Sequence, residues 1–175
     1  AMWSGPRNLS TAMMRSFGNR ADCAAVIDEP FYAAFLAASG KQHPMRAEVL
    51  AAQPQDWRAV ARACASGEVA AGRILYQKQM THHMLPHVDV QRLIAGGALT
   101  HAFLIRNPVD TIPSIVRTSR AVDPSLPVAA PEAAIDYYVA RLERIGRYSE
   151  FMGERAAFVE SERLIDDTDA VLARL

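Results

Sequence analysis

The residue types able to do chemistry gather in a few short stretches of this 175-residue chain. The first is Arg7-Asn8-Leu9-Ser10-Thr11, which follows a Ser4-Gly5-Pro6 turn. Arg7 brings a permanent guanidinium, and Ser10 and Thr11 bring hydroxyl donors. A helix starting there adds free backbone N–H groups and the positive end of its dipole, the parts of an anion site, most often one for phosphate. Asp28 and Glu29 offer carboxylates that can take a proton. Lys78 adds a cation, and His82, His83 and His87 add imidazoles. Arg106 and Ser114 lie 114 − 106 = 8 residues apart across Asn107-Pro108. A guanidinium and a hydroxyl at a helix start suit a terminal phosphate dianion.

The elements that must position these groups follow from pattern and punctuation. Ala1 to Trp3 reads as the end of a strand, and Leu9 onward as a helix stopping at Gly18-Asn19. Ala24 to Glu29 is expected to be a buried strand, with Pro30 opening a helix over Phe31 to Ser39. Lys41 to Gly72 reads as a helical stretch in which Trp57, Val60, Ala61 and Cys64 form one buried stripe. Arg73 to Met80 is a third strand, Val88 to Ala95 a helix, and Ala98 to Ile105 the clearest strand. Asn107 caps a helix toward Arg120 that Pro113 should bend. Ala121 to Pro131 is a proline-rich loop, and a long helix after it puts Ile135, Tyr138, Val139, Leu142 and Ile145 on one face. Arg155 to Glu160 is a fifth strand and the tail is helical. Strands alternating with helices predict an α/β fold, a three-layer doubly wound parallel sheet with ligands beyond the C-terminal strand ends.

Composition narrows the classes. Half the residues are hydrophobic and the charges balance at 19 against 19. That balance argues against a general nucleic-acid binder or membrane-surface protein. No apolar run approaches the roughly 18 residues of a membrane span. Cys23 and Cys64 have no metal-type spacing, which fits a cytoplasmic setting. Residues 1–175 read as a single domain, expected to be cut at both ends relative to the natural polypeptide.

The first loop lacks the second Gly and the Lys of a G-x-x-x-x-G-K-[ST] P-loop. It resembles instead the 5′-phosphosulfate loop, roughly Pro-Lys-Ser-Gly-Thr-Thr, of sulfotransferases that use 3′-phosphoadenosine 5′-phosphosulfate. Pro6 matches Pro, Arg7 the Lys, and Ser10 and Thr11 the two Thr, while Leu9 replaces the Gly. Arg106-Asn107-Pro108 with Ser114 resembles that family's 3′-phosphate motif. The resemblance covers Ala1 to about Arg120 and implies a divergent, bacterial-type member with a P-loop nucleotide-hydrolase/sulfotransferase-like fold. It implies sulfuryl transfer to a hydroxyl or amine of a small-molecule acceptor, releasing adenosine 3′,5′-bisphosphate. Arg7, Asn8, Leu9, Ser10, Thr11, Arg106 and Ser114 would hold the nucleotide. The family's late glycine-rich basic loop has no counterpart in this sequence.

By analogy with phosphoryl transfer, such a reaction needs positioning, charge stabilisation and a base. Arg7 and Lys78 are candidates for the leaving-group charge. The resemblance makes Glu29 the first choice for the base, with His82 or His83 as runner-up. The acceptor would be bound by residues 41–72 and 121–131. No metal is expected, because Pro86 breaks a helical pairing among His82, His83 and His87. Taken singly, each group has an ordinary structural role, such as helix-start electrostatics or a solvated surface charge. Two other readings stay open: a nucleotide-binding regulatory module without catalysis, and a kinase-like phosphotransferase.

Overall fold

The computed structural model describes residues 1–67, 69–85, 99–122, 127–153 and 156–173. Strands β1 (Met2–Ser4), β2 (Cys23–Asp28), β3 (Ile74–Met80), β4 (Ala102–Ile105) and β5 (Ala157–Glu160) form one sheet in the order β2-β3-β1-β4-β5. Every pairing is parallel. The chain leaves central β1 toward one edge and later fills the other, the doubly wound arrangement. The register aligns Ser4 with Met80 and with Leu104, so the strand ends reach one edge together.

Alternation along the strands separates two apolar layers. Trp3 and Phe103 point to the face covered by α4 (Trp57–Ala65) and α6 (Pro131–Met152), where they join Val60, Cys64, Ile145 and Tyr148. Their neighbours Met2, Ala102 and Leu104 point the other way, toward Met13 and Phe17 of α1 (Ser10–Gly18) and Leu164 of α7 (Ser161–Asp166). Helix α8 (Thr168–Leu172) adds Val171 and Leu172 to that layer. A third cluster joins Ile115 and Val116 of α5 (Pro108–Val122) to Ala134 and Tyr138 of α6.

Polar side chains penetrate one layer. Gln77 and Gln79 of β3 are fully buried. Gln77 Nε2 donates to Cys64 O at 2.8 Å, and Gln79 Nε2 donates to Gln77 Oε1 at 3.1 Å and lies 3.8 Å from Cys64 Sγ. These amides hold the C-terminal turn of α4 against the sheet.

Several expectations need correction. Strand β2 is an edge strand and mostly exposed, because only β3 pairs with it and α1 covers only part of it. The stretch from Lys41 to Gly72 holds separate helices, α3 (Arg46–Ala52) and α4. Pro54 lies between them, and Asp56 starts α4 by accepting the Arg58 N–H. Helix α2 begins at Tyr32 (Tyr32–Ser39), with Pro30 and Phe31 in the preceding turn. Helix α5 runs through Pro113 to Val122, past the expected loop boundary. On α6, Tyr138 and Ile145 are buried, but Ile135, Val139 and Leu142 are exposed. The apolar stripe is wider than the face the sheet and α5 cover. The expected helix from Val88 to Ala95, with Pro86 and His87, lies outside the described residues.

Phe103 is fully buried at the centre of the sheet and stacks on Phe158 with ring centroids 5.4 Å apart. We expect Phe103→Ala to lower the urea unfolding free energy by about 3–5 kcal/mol, transfer and cavity terms together.

Candidate functional site

The Ser4 to Thr11 segment is a strand–loop–helix junction at the C-terminal edge of the sheet. Arg7 and Leu9 take left-handed backbone conformations, with φ of 67° and 61°. Leu9 thus adopts, without being glycine, a conformation that glycine adopts freely, at a cost of order 1 kcal/mol. The first helical back-bond of α1 is Met13 N–H to Leu9 O at 3.1 Å. Among the described residues, no backbone N–H from Arg7 to Ala12 has an acceptor. Such a run of open donors has the make-up of a concave anion site.

Asn8 fixes this loop from beneath. It is buried, its Nδ2 donates to Leu104 O at 3.0 Å, and its carbonyl accepts the Ser161 hydroxyl at 3.0 Å. Its Oδ1 is buried without a partner among the described residues. The side chain ties the loop to β4 and the carbonyl ties it to α7, which leaves the Asn8 N–H for a ligand.

Lys78 joins the loop to the carboxylates. It is 4% exposed, and its Nζ lies 2.9 Å from Asp28 Oδ1, 2.8 Å from Glu29 Oε1 and 3.2 Å from Thr11 Oγ1. Burial alone lowers its pKa, but hydrogen bonds to Glu29 and Asp28 and their charges more than offset this. The ammonium therefore holds its proton more tightly than an ordinary lysine. Glu29 sits at φ 48° and its N–H donates to Lys78 O at 3.0 Å, which carries the β2 ladder one step beyond its end.

The histidines follow β3 in a 3-10 turn, Thr81–His83. His83 Nε2 is 3.9 Å from Glu29 Oε2, and its ring stacks on Tyr32 and Phe35 with centroids 5.0 Å away. Burial, then the Lys78 charge, lowers the His83 pKa to about 3. Burial, then the charges of His83 and Arg141, takes His82 well below the usual value. Both rings are neutral at physiological pH. Among the described residues, no cluster of His, Cys, Asp or Glu could hold a metal ion.

The second phosphate motif meets the first through Arg7. Arg7 Nε donates to Ser114 Oγ at 2.9 Å, and Arg106 Nη1 donates to Arg7 O at 3.1 Å. Asn107 Oδ1 accepts the Val109 N–H at 2.9 Å, the cap expected from sequence. The structure thus brings Arg7, Ser114 and Arg106 together, and separately gathers Lys78, Thr11, Asp28, Glu29 and His83. The Arg7 side chain turns to Ser114, and no ion pair joins it to Glu29.

A cavity of about 720 Å³ opens beside the first loop, lined by Pro6 and Arg7, by Lys41, His43 and His82, and by residues of α5 and α6 that include Arg141, while Lys78 and Glu29 do not line it. A smaller one of about 370 Å³ lies at the opposite end of the sheet, near Ala1 and Ile74, away from the charged groups. The strand C-terminal edge is the better site because the loop donors, Lys78 and Glu29 converge there. Sequence reasoning missed Tyr138, which donates to Arg106 O at 2.7 Å, and Arg144, whose Nη1 holds Thr81 O at 2.8 Å and Met84 O at 2.9 Å. It also missed Arg141 and the rings of Tyr32 and Phe35. Nothing local marks these positions, since they depend on how α2 and α6 pack.

The buried histidine imposes a pH dependence. In the unfolded chain His83 protonates near 6.5, but in the folded protein only near 3. Between those values the unfolded state binds more protons, so stability present above pH 6.5 is lost as pH falls. His82 acts in the same direction. Urea unfolding between pH 7 and 4 should show a decline of up to about 1.4 kcal/mol per pH unit from His83 alone. His83→Phe should flatten that slope.

Comparison with known proteins gives the family. The sulfotransferase domain profile matches residues 1–142. The branched-chain-amino-acid aminotransferase-like proteins 2 and 1 of Arabidopsis thaliana are each 30% identical, over 181 and 175 residues. Those alignments cover 99% of this chain and 28% of each relative, so the chain spans little more than a quarter of their length. The sulfotransferase domain from the curacin biosynthetic pathway superposes with a TM-score of 0.59 at 17% identity. That match covers 99% of this chain and 70% of the other, and shows a shared fold. With its profile match over residues 1–142 and its parallel five-stranded sheet, the chain belongs to the sulfotransferase domain family.

Proposed function

We propose that this chain transfers a sulfuryl group from 3′-phosphoadenosine 5′-phosphosulfate to a hydroxyl or amine of a small-molecule acceptor. The observation that carries the reading is the run of backbone N–H groups from Arg7 to Ala12 without acceptors, closed at one side by Lys78. This is the donor set an anionic phosphosulfate needs. Arg106 and Ser114, tied to the same loop through Arg7, supply the donors for the 3′-phosphate. The two free cysteines, Cys23 and Cys64, fit a cytoplasmic setting.

In the reaction, the acceptor atom bonds to sulfur as the bond from sulfur to the 5′-phosphate oxygen breaks. The electron pair leaves with adenosine 3′,5′-bisphosphate and the acceptor proton passes to a base. The loop N–H groups and the Lys78 ammonium meet the charge that grows on the leaving phosphate. Glu29 takes the proton, and the ammonium 2.8 Å away holds its carboxylate in place. His83 is a poorer acceptor, because a ring with a pKa of about 3 has little drive to keep a proton near neutrality. It instead packs against Tyr32 and Phe35 behind Glu29.

Calorimetry with adenosine 3′,5′-bisphosphate tests the donor assignment. The wild type should bind it without magnesium, and Arg106→Ala should weaken binding by about 2–3 kcal/mol, as for a charged hydrogen-bond partner. An unchanged dissociation constant would remove Arg106 from the site. Binding without turnover on any acceptor would favour a regulatory module, and magnesium-dependent triphosphate binding a phosphotransferase.

The base assignment has its own test. Glu29→Gln should keep nucleotide affinity and cut turnover by ~10²-fold or more. His82→Asn and His83→Asn should each cost less. A normally active Glu29 variant beside a dead histidine variant would reverse the roles.

A further inference from the structure

The cavity beside the anion loop has a charge pattern that the donor does not need. Its charged lining is Arg7, Lys41 and Arg141, with no Asp or Glu among the described lining residues. Arg7 is committed, through Nε, to Ser114. The other two, Lys41 and Arg141, lack anionic partners among the described residues. The Lys41 ammonium lies over the Phe35 ring, 5.4 Å from its centroid. The Arg141 guanidinium lies over the Tyr137 ring at 3.6 Å, and one of its N–H groups reaches Tyr137 O at 3.3 Å. Its Nε is buried with no partner among the described residues. Burial draws the Arg141 pKa below the ordinary arginine value, the mark of a cation short of counter-charge.

The rest of the cavity is oily. Ile115 and Val122 of α5, Val128 after it and Tyr137 of α6 supply apolar wall. His82 lines the same space, and its neutral ring adds no opposing charge. A cavity with an apolar body and two cations, Lys41 and Arg141, both acting on His82 in its wall, selects a ligand that combines apolar surface with an anion. Both segments expected from sequence to hold the acceptor contribute, through residues 41–44 and through 122, 127 and 128.

We infer that this cavity takes an acceptor with an apolar body and an oxyanion, a carboxylate or a phosphate monoester, held by Lys41 and Arg141. The inference rests on the sulfotransferase reading and adds the acceptor's class to it. The oxyanion neutralises the unpaired cations while the apolar body covers α5. The acceptor's own hydroxyl or amine is left to face Pro6 and Arg7 at the start of the loop. Neutral and cationic acceptors of the same length forgo that pairing and bind less well.

The test uses matched eight-carbon probes against the whole chain saturated with adenosine 3′,5′-bisphosphate. Octanoate or octyl phosphate should bind at least ~10-fold more tightly than 1-octanol, the scale of one charge-assisted hydrogen bond, with octylammonium weakest. Whichever anion binds better names the headgroup. Lys41→Met and Arg141→Met should each erase most of the preference while leaving octanol and adenosine 3′,5′-bisphosphate affinities within about twofold. Should Arg141→Met fail to fold, Lys41→Met on its exposed loop and Arg141→Lys carry the same comparison. Equal affinity for octanoate and octanol, in protein that binds the nucleotide, would overturn the inference alone. Competition between octanoate and the nucleotide would assign the cations to the donor and overturn it too. Failure to bind adenosine 3′,5′-bisphosphate would instead remove the donor reading beneath it.

Discussion

One buried charge sets the terms for the site. The Lys78 ammonium is almost wholly removed from water, and a lone charge there would be strongly destabilising. It is tolerated because Asp28 and Glu29 from the end of β2 and Thr11 from the start of α1 surround it. Each partner is in reach only if β2 and β3 keep their register and α1 starts where it does. Satisfying Lys78 therefore also fixes Glu29 relative to the loop. Replacing either carboxylate by an apolar residue would leave the ammonium with a single counter-charge, and Lys78→Met would leave the two carboxylates without their shared cation.

The anion loop is organised by a different device. Its backbone is held in left-handed turns at Arg7 and Leu9, and Asn8 pins it to β4 and α7. The open N–H groups are consequently preorganised rather than recruited by a ligand. Arg7 extends the arrangement sideways, its guanidinium on Ser114 and its carbonyl on Arg106. The motifs that stand about a hundred residues apart in the chain are one hydrogen-bonded unit in the fold.

Much of this was legible because the signals are local. Gly5-Pro6 and Asn107-Pro108 mark strand–helix junctions by backbone chemistry alone, and β4 reads directly as an apolar run. Alternation in α/β order gives the sheet class. What remained hidden depends on packing. The Ala24 to Glu29 segment looks like a buried strand, yet its edge position is decided by the order in which distant strands pair. The same apolar pattern on α6 is buried at Tyr138 and Ile145 and exposed at Val139. Arg141 reads as one surface arginine among many, and only the approach of α6 to the first loop turns it toward the cavity. The separation of α3 from α4 was visible in Pro54, a breaker inside an otherwise helical stretch.

The buried glutamines of β3 have a mechanical consequence. An apolar helix resting on an apolar sheet can creep by fractions of an ångström, because dispersion contacts are interchangeable. Helix α4 has less freedom, since Gln77 grips the Cys64 carbonyl and Gln79 grips Gln77 in turn. A small slide would strand amide groups in a dry interior at a cost of about 1–3 kcal/mol for each. The helix is therefore geared to the strand. Displacing α4 along the sheet has to break the Gln77–Cys64 hydrogen bond, one residue from Lys78 on the same strand.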